Sequence, residues 1–167
     1  MGNGLNSHIQ TKGSVLCVCM SVRKGTPKYT VESAQLKKEY GIVGDAHAGK
    51  WHRQISLLDE ADVLYMREKI KGIRYGAFGE NMIISGLPLH ELGIGSRLRI
   101  GQHAELVISQ IGKVCHDKCA IFYKTGDCIM PRSGLFARVV CSGIVRSGDI
   151  CEIIEYISRN NLQEAAL

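Results

Sequence analysis

Residues 72–101 read GIRYGAFGENMIISGLPLHELGIGSRLRIG, a segment in which glycine recurs every few residues. The apolar stretches between these glycines, at 82–84 and 97–100, are long enough for short strands and too short for helices. A third stretch of this kind follows at 104–109. Because many short strands separated by turns are typical of a β-barrel or a β-sandwich, the segment predicts a mainly β fold with few helices.

The sequence on either side extends this pattern. A glycine-bounded region at 143–149 predicts a turn. Apolar or alternating runs predict four further strands, at 14–22, 54–58, 136–140 and 150–156.

One segment has a different period. Val63, Met66 and Ile70 recur at helical spacing, acidic residues precede them, and Gly72 follows. Acidic residues favour the start of a helix and glycine favours its end, so we predict a helix over 59–70. In a barrel with so few helices, we expect this one to cover one opening.

The composition is that of an ordinary globular protein. The chain has 167 residues, of which 45% are hydrophobic and 22% charged, and this excludes disordered chains, collagen-like repeats and coiled coils. Its apolar runs are far shorter than the about 20 residues of a membrane helix, and its start does not resemble a signal peptide. We expect a cytoplasmic protein with no membrane partner and one domain at 14–156, between an N-terminal extension (1–13) and a C-terminal tail (157–167).

The net charge of +5 is concentrated in the first third of the chain. Residues 1–53 carry eight basic and three acidic side chains, which accounts for the whole excess. An excess of this size favours a small anionic ligand, such as a phosphate, over a nucleic acid, which usually requires a more basic domain. A solvated basic face without a ligand is the alternative interpretation.

Residues 41–53, GIVGDAHAGKWHR, form the first of three segments in which polar residues lie among glycines. Gly44 lets the backbone approach a ligand closely. Asp45, His47 and Arg53 can form a hydrogen-bonded set, and arginine is suited to bidentate phosphate binding. A purely structural loop held by Asp45 is the alternative.

Residues 76–81, GAFGEN, form the second segment. Glu80 and Asn81 follow the flexible Gly79 and precede an apolar strand, which would place them at the rim of a barrel. A carboxylate near the core needs hydrogen-bond donors, and Arg53 is one candidate. A structural turn is an equally good interpretation.

Seven cysteines, an odd number, do not indicate a disulfide framework in a reduced compartment. Four of them lie in apolar, strand-like surroundings, where cysteine usually serves as a small buried hydrophobic residue. These four are Cys17, Cys19, Cys141 and Cys151.

The other three cysteines lie in the third polar segment, close to basic residues. Cys115 follows Lys113, and Cys119 and Cys128 lie further along. Positive neighbours favour a thiolate, which can bind a soft metal, carry a persulfide or attack an electrophile. A zinc-stabilised binding module is the alternative, although no second paired ligand motif is present. Its ligands would be Cys115, His116, Cys119 and Cys128.

In order and spacing, these segments resemble the MOSC domain family, named after the C-terminal domain of molybdenum-cofactor sulfurases. The resemblance extends over about residues 14–155, and where many members carry Arg-x-Pro-Cys this chain has Gly-Lys-Val-Cys at 112–115. The strings that carry it are GIVGDAHAG at 41–49 with Arg53 and QIS at 54–56, GAFGEN at 76–81, LGIGS at 92–96, Cys115, RSGLFARV at 132–139 and Gly148-Asp149.

The resemblance implies a β-barrel-like domain that binds a molybdenum cofactor. It makes Cys115 the thiolate ligand of the metal or a sulfur carrier. Beyond the family pattern, this chain has Cys119 and Cys128 as secondary thiols, which could instead resolve a persulfide as a disulfide. Arg53 and Lys113 would hold the phosphate of the cofactor. The residues expected to line its pocket are Gly44, Asp45, His47, Arg53, Gly79, Glu80, Asn81 and Lys113.

The function implied is cofactor binding, or the handling of cofactor sulfur, with a sulfur-donating desulfurase as partner. The alternative within the family is a molybdenum-dependent reductase of N-hydroxylated compounds, which needs a separate electron-donor protein. A nucleic-acid partner is not expected.

Overall fold

The computed structural model describes residues 9–115 and 117–160 of the chain. These residues form eleven strands, three α-helices and one 3-10 helix, Leu89–Glu91. The helices are α1 (Glu60–Lys69), α2 (Ala120–Thr125) and α3 (Met130–Ser133). The strands are β1 (Lys12–Met20), β2 (Tyr29–Val31), β3 (Ser33–Lys37), β4 (Gly41–Ile42), β5 (Ile55–Asp59), β6 (Met82–Ser85), β7 (Arg97–Ile100), β8 (Ala104–Ile111), β9 (Leu135–Cys141), β10 (Gly143–Arg146) and β11 (Ile150–Glu155).

Seven strands close into a barrel in the order β11-β7-β8-β9-β5-β6-β1, and β1 pairs with β11 to complete it. Neighbouring strands are antiparallel except for β5 and β6, which run parallel. β2 extends the sheet beside β1, and β10, β3 and β4 form a separate three-stranded sheet. The expected mainly β, barrel-like single domain with few helices is confirmed.

Aliphatic side chains fill the interior of the barrel, as in other barrels of this size. Leu89 and Leu92, in and next to the 3-10 helix, join the same cluster. Every strand of the barrel contributes, through Val15, Leu57, Ile84, Leu98, Leu106, Val139 and Ile153 among others.

The helix predicted over 59–70 is confirmed as α1. The carboxylate of Asp59 caps it by accepting a hydrogen bond from the backbone N–H of Ala61. Val63 and Met66 pack in a second apolar cluster with residues from the outer faces of β1, β5 and β6. The expectation that this helix covers an opening was therefore wrong, because these outer faces are apolar too and α1 buries them.

Several short elements were not predicted. β2, β3 and β4 lie in a stretch that lacks a clear alternation, and α2 and α3 lie within the cysteine segment. The predicted turn at 143–149 is a strand, β10, followed by a turn. β10 forms because it pairs with β3, and that partner lies more than a hundred residues away in the sequence.

The ends of the described chain contact the barrel. β1 begins at Lys12, within the segment expected as an N-terminal extension. The carbonyl of Ile157, in the expected tail, accepts a hydrogen bond from the N–H of Gly93. Residues 1–8 and 161–167 lie outside the described residues. In the part of the chain that the structure describes, no helix combines the length and apolarity needed to cross a bilayer.

Candidate functional site

Three loops meet at one side of the barrel and enclose a cavity of about 130 Å³. They are the loop after β4, the turn before β6 and the segment after β8. The cavity brings together five of the residues expected at the site, namely His47, Arg53, Gly79, Asn81 and Lys113. Trp51, Ser56, Met130 and Phe136 complete its lining.

Arg53 is the strongest anion-binding feature of this cavity. Its Nε is buried and has no hydrogen-bond partner within the described part of the chain. The guanidinium stacks 4.7 Å from the ring centroid of Trp51 and 5.6 Å from that of Phe136. None of the ion pairs formed by residues 9–115 and 117–160 involves it. A buried donor left without an acceptor is costly, so this geometry favours an anionic ligand.

Asp45 forms a buried ion pair with Lys28 instead of the expected set with His47 and Arg53. Its Oδ1 accepts from Lys28 Nζ at 2.6 Å and from the Ser21 N–H at 3.0 Å, and its Oδ2 accepts from the His47 N–H. Burial raises the pKa of Asp45, but the bonds from Lys28 and Ser21 outweigh burial and hold the pKa below its ordinary value. Arg53 is outside this set because it stacks on aromatic rings.

Glu80 and Asn81 support the cavity wall. The two oxygens of Glu80 accept from the N–H groups of Gly76 and Phe78, at 2.6 and 3.0 Å. The expected donor, Arg53, was therefore wrong, because neighbouring backbone groups satisfy the carboxylate first. Burial raises the pKa of Glu80 above its ordinary value, and these N–H groups oppose the shift. Asn81 spans β5 and β1, accepting from the Ser56 N–H and donating to a backbone carbonyl of β1.

Two further predicted pocket residues, Gly44 and Gly79, contribute through their backbone conformation. Gly44 and Gly79 both have φ in the left-handed region, at 89° and 81°. Gly79 lines the cavity, whereas Gly44 does not, and a Cβ at Gly44 would lie 3.2 Å from the side chain of Met20.

The three cysteines of the third segment line a second pocket of about 580 Å³. Cys115 and Cys119 are exposed and Cys128 is half-buried. Burial raises the pKa of the Cys128 thiol. Lys113 lines both this pocket and the Arg53 cavity, so the two are adjacent. Cys115 is thus reachable from solvent, and Lys113, two residues before it, lines the cavity that contains Arg53.

An ion cluster anchors the cysteine segment to the helices around it. The Asp127 carboxylate pairs with Arg132 of α3 and with Lys69 of α1, the latter at 3.1 Å. Arg132, and then Lys69, lower the pKa of Asp127 to about 2. The backbone at Gly112 also packs against α3, where a Cβ would lie 2.1 Å from the carbonyl oxygen of Pro131.

The zinc alternative gains no support from this geometry. No group of three or more His, Cys, Asp or Glu side chains among the described residues is arranged to hold a metal ion. His116, one of its four expected ligands, lies outside those residues.

The other cysteines divide differently from the prediction. Cys17, Cys19 and Cys151 are buried as expected. Cys141 is exposed, which was not expected. It ends β9 opposite Glu105 of β8, where the strand pair leaves the core.

The comparison with protein families decides the family of the chain. The model of the MOSC domain matches residues 44–152. The chain belongs to the MOSC domain family. No curated protein matches it.

Solved structures share the fold of this MOSC domain. The YuaD protein of Bacillus subtilis has a TM-score of 0.74 and 19% identity, over 89% of this chain and 98% of that one. YiiM from Geobacillus stearothermophilus has a TM-score of 0.67 and 18% identity, over 92% and 83%. YiiM from Escherichia coli has a TM-score of 0.64 and 20% identity, over 87% and 71%.

The MOSC match contains every residue that lines the Arg53 cavity, but it does not contain Lys28. Lys28 follows Pro27 in an irregular stretch, GTPKY, whose pattern indicates only a turn. The sequence does not predict its role, because no local signal marks a lysine whose partner, Asp45, lies 17 residues away.

Proposed function

We propose that this MOSC protein binds a molybdenum cofactor, with the Cys115 thiolate as a ligand of the metal. One observation supports this most strongly. The unpartnered, buried Nε of Arg53 lies in a cavity that shares Lys113 with the pocket of the exposed Cys115. The Arg53 guanidinium, which has an unpaired donor, therefore lies in a cavity adjacent to the pocket of the exposed Cys115 thiol.

The residues fit the chemistry of such a cofactor, a pterin that carries a phosphate and supplies a redox-active metal. The Arg53 cavity, at about 130 Å³, has room only for a small group such as a phosphate. The cysteine pocket, at about 580 Å³, lies within the range of about 300–1,000 Å³ that is usual for organic ligands. Neither lining contains Asp or Glu among the described residues.

Each residue of the two pockets then has a defined task. Arg53 and Lys113 hold the phosphate, and arginine gives the bidentate contact. Cys115 supplies the soft thiolate ligand to the metal. Trp51 and Phe136 keep the guanidinium in place by stacking.

The proposal is tested by loading the purified protein with the cofactor and measuring molybdenum and phosphorus per chain. Cys115→Ala should lose bound molybdenum. Arg53→Met should bind the cofactor about tenfold to a hundredfold more weakly, because it removes a charge-assisted hydrogen bond. Cys141→Ala, another exposed cysteine away from both pockets, is the matched control and should load like the wild type. Equal molybdenum in wild type and Cys115→Ala would reject the role of Cys115.

Sulfur carriage is a second candidate, favoured by the position of three thiols around one pocket. A desulfurase would place a sulfur on Cys115. Attack by the Cys119 thiolate on the inner sulfur of that persulfide would then form a Cys115–Cys119 disulfide and release hydrosulfide.

Mass spectrometry after incubation with a cysteine desulfurase and cysteine tests this second candidate. Wild type should yield the disulfide, and Cys119→Ser should retain the added sulfur on Cys115. Equal sulfur on Cys115 and Cys141 would contradict it.

A further inference from the structure

We propose that Lys28 fixes His47 as a neutral imidazole that donates its Nε2–H to an oxyanion in the Arg53 cavity. Lys28 is then a positioning residue for the anion site. The identity of the oxyanion as the phosphate of the cofactor rests on the proposed function, whereas the state of His47 does not.

Two buried side chains and a half-buried imidazole define this arrangement. The side chains of Lys28 and Asp45 are 1% and 0% exposed. Lys28 Nζ lies 2.6 Å from Asp45 Oδ1 and 3.2 Å from His47 Nδ1. An ammonium group has only donors, so Nδ1 must be the acceptor in this contact. A neutral imidazole carries one proton, and this proton is therefore on Nε2.

The backbone of His47 is held on both sides, which limits alternatives. Its N–H donates to Asp45 Oδ2 at 3.2 Å, and its carbonyl accepts from Trp51 Nε1 at 2.8 Å. Turning the ring over would place a carbon against the ammonium and leave Lys28 with a buried donor unsatisfied. That state is unfavourable, and the observed orientation is the one that satisfies Lys28.

The charges around His47 favour the neutral ring as well. Burial, and then the charge of Lys28, lower the pKa of His47 below its ordinary value. The charges of Lys113 and Lys24 also lower this pKa, and the charge of Asp45 opposes them. The imidazole is thus neutral at pH 7, and the guanidinium of Arg53 in the same cavity adds no acceptor that would change this.

The neutral state of His47 determines which polar group the ring can offer to a ligand. His47 lines the cavity with Arg53 and Lys113. With Nδ1 occupied by Lys28, Nε2–H is the polar group that the ring has left to offer. The cavity therefore presents two cations and one neutral donor, which suits a phosphate group. Because His47 donates as a neutral ring, its contact with the oxyanion does not require protonation of this residue.

The state of the ring is measured directly in the full-length wild-type protein. Long-range proton–nitrogen correlation spectra distinguish the two tautomers and the imidazolium, and comparison with His47→Gln assigns the signals. We expect the Nε2–H tautomer at pH 7. An Nδ1–H tautomer or an imidazolium at pH 7 would overturn the inference. The measurement needs no cofactor, so failure of cofactor binding would reject the proposed function and leave this result standing.

Binding of orthophosphate provides the second readout. The double variant Lys28→Met/Asp45→Asn replaces the buried pair by neutral groups of similar size, which proteins often tolerate. It should give a mixture of His47 tautomers and weaken orthophosphate binding by about threefold to tenfold. Lys24→Met is the control, since it removes an exposed charge that acts on His47 without contacting Nδ1.

The control and the double variant are expected to give different results. Lys24→Met should keep the Nε2–H tautomer and the wild-type affinity. The inference fails if Lys24→Met and the double variant change the tautomer equally, or if the double variant keeps Nε2–H alone. Wild-type protein that does not bind orthophosphate would overturn the role of His47 as an anion donor.

Discussion

Lys28 and Asp45 form a buried ion pair of 2.6 Å that joins the segment before β2 to the loop carrying His47. By contrast, Lys12 and Glu152 lie 3.6 Å apart at the surface, with the lysine 63% exposed. The two pairs therefore predict very different costs for losing a lysine.

Lys28→Met should destabilise the protein by about 3–5 kcal/mol, because it leaves the Asp45 carboxylate buried without a counter-charge. Lys12→Met should cost less than about 1 kcal/mol. The double variant Lys28→Met/Asp45→Asn should recover much of the loss. Urea unfolding measures all three, and similar costs for the two single variants would show that the buried pair does not hold this loop.

The close approach of Gly112 to the carbonyl of Pro131 can be tested by comparison with Gly72, which has no such neighbour. Gly112 and Gly72 both have a left-handed φ, at 65° and 79°. A Cβ at Gly112 would meet the carbonyl of Pro131 at 2.1 Å, whereas one at Gly72 would meet nothing within 4 Å.

Gly72→Ala should therefore cost about 1–2 kcal/mol, the ordinary cost of the left-handed conformation. Gly112→Ala should cost a further 1–3 kcal/mol or so, since the backbone of the cysteine segment must shift away from α3. Thermal unfolding compares them, and equal melting temperatures would show that the contact with Pro131 is not maintained.

Alkylation should separate the cysteines by position. In the native protein, iodoacetamide should modify Cys115 and Cys141, which are exposed, and leave Cys151 unmodified. Burial excludes the reagent from Cys151 and raises the pKa of its thiol to about 12. Peptide mass spectrometry after a short reaction gives the pattern, with the unfolded protein as the control. Rapid modification of Cys151, or protection of Cys115, would contradict the packing described.

The Asp127 cluster should make stability depend on pH in the acid range. The pKa of Asp127 is about 2 in the folded protein, below its ordinary value, so the unfolded chain binds the proton more readily. The stabilisation is complete above the ordinary pKa of about 3.9 and is lost as pH falls towards 2.

Asp127→Asn should flatten this part of the stability curve, whereas Asp117→Asn, at an exposed aspartate of the same segment, should not. Urea unfolding between about pH 2 and 5 measures the difference. Identical slopes for wild type and Asp127→Asn would mean that Arg132 and Lys69 do not act on this carboxylate.

The sequence contained enough to place the barrel and its main helix. Local patterns determine these elements, such as the helical spacing of Val63 and Met66 after the capping residue Asp59. Arg53 and Lys113 line one cavity, and Lys113 and Cys115 line the adjacent pocket, since each belongs to a loop that ends or begins a barrel strand.

Long-range partners could not be predicted in the same way. Asp45 pairs with Lys28, and Glu80 accepts hydrogen bonds from backbone N–H groups. The type of a residue does not predict which of several donors will bind a given carboxylate. β10 exists through its pairing with β3, a contact that no local pattern encodes. Cys141 was expected in the core because its neighbours in sequence are apolar, but the end of β9 leaves the core.

Ligation of molybdenum by Cys115, as proposed here, can be measured by X-ray absorption at the molybdenum edge of the loaded protein. We expect one sulfur ligand fewer around the molybdenum that Cys115→Ser retains than in wild type, and no change in Cys128→Ser, whose thiol lines the same pocket. The same number of sulfur ligands in Cys115→Ser and wild type would contradict it.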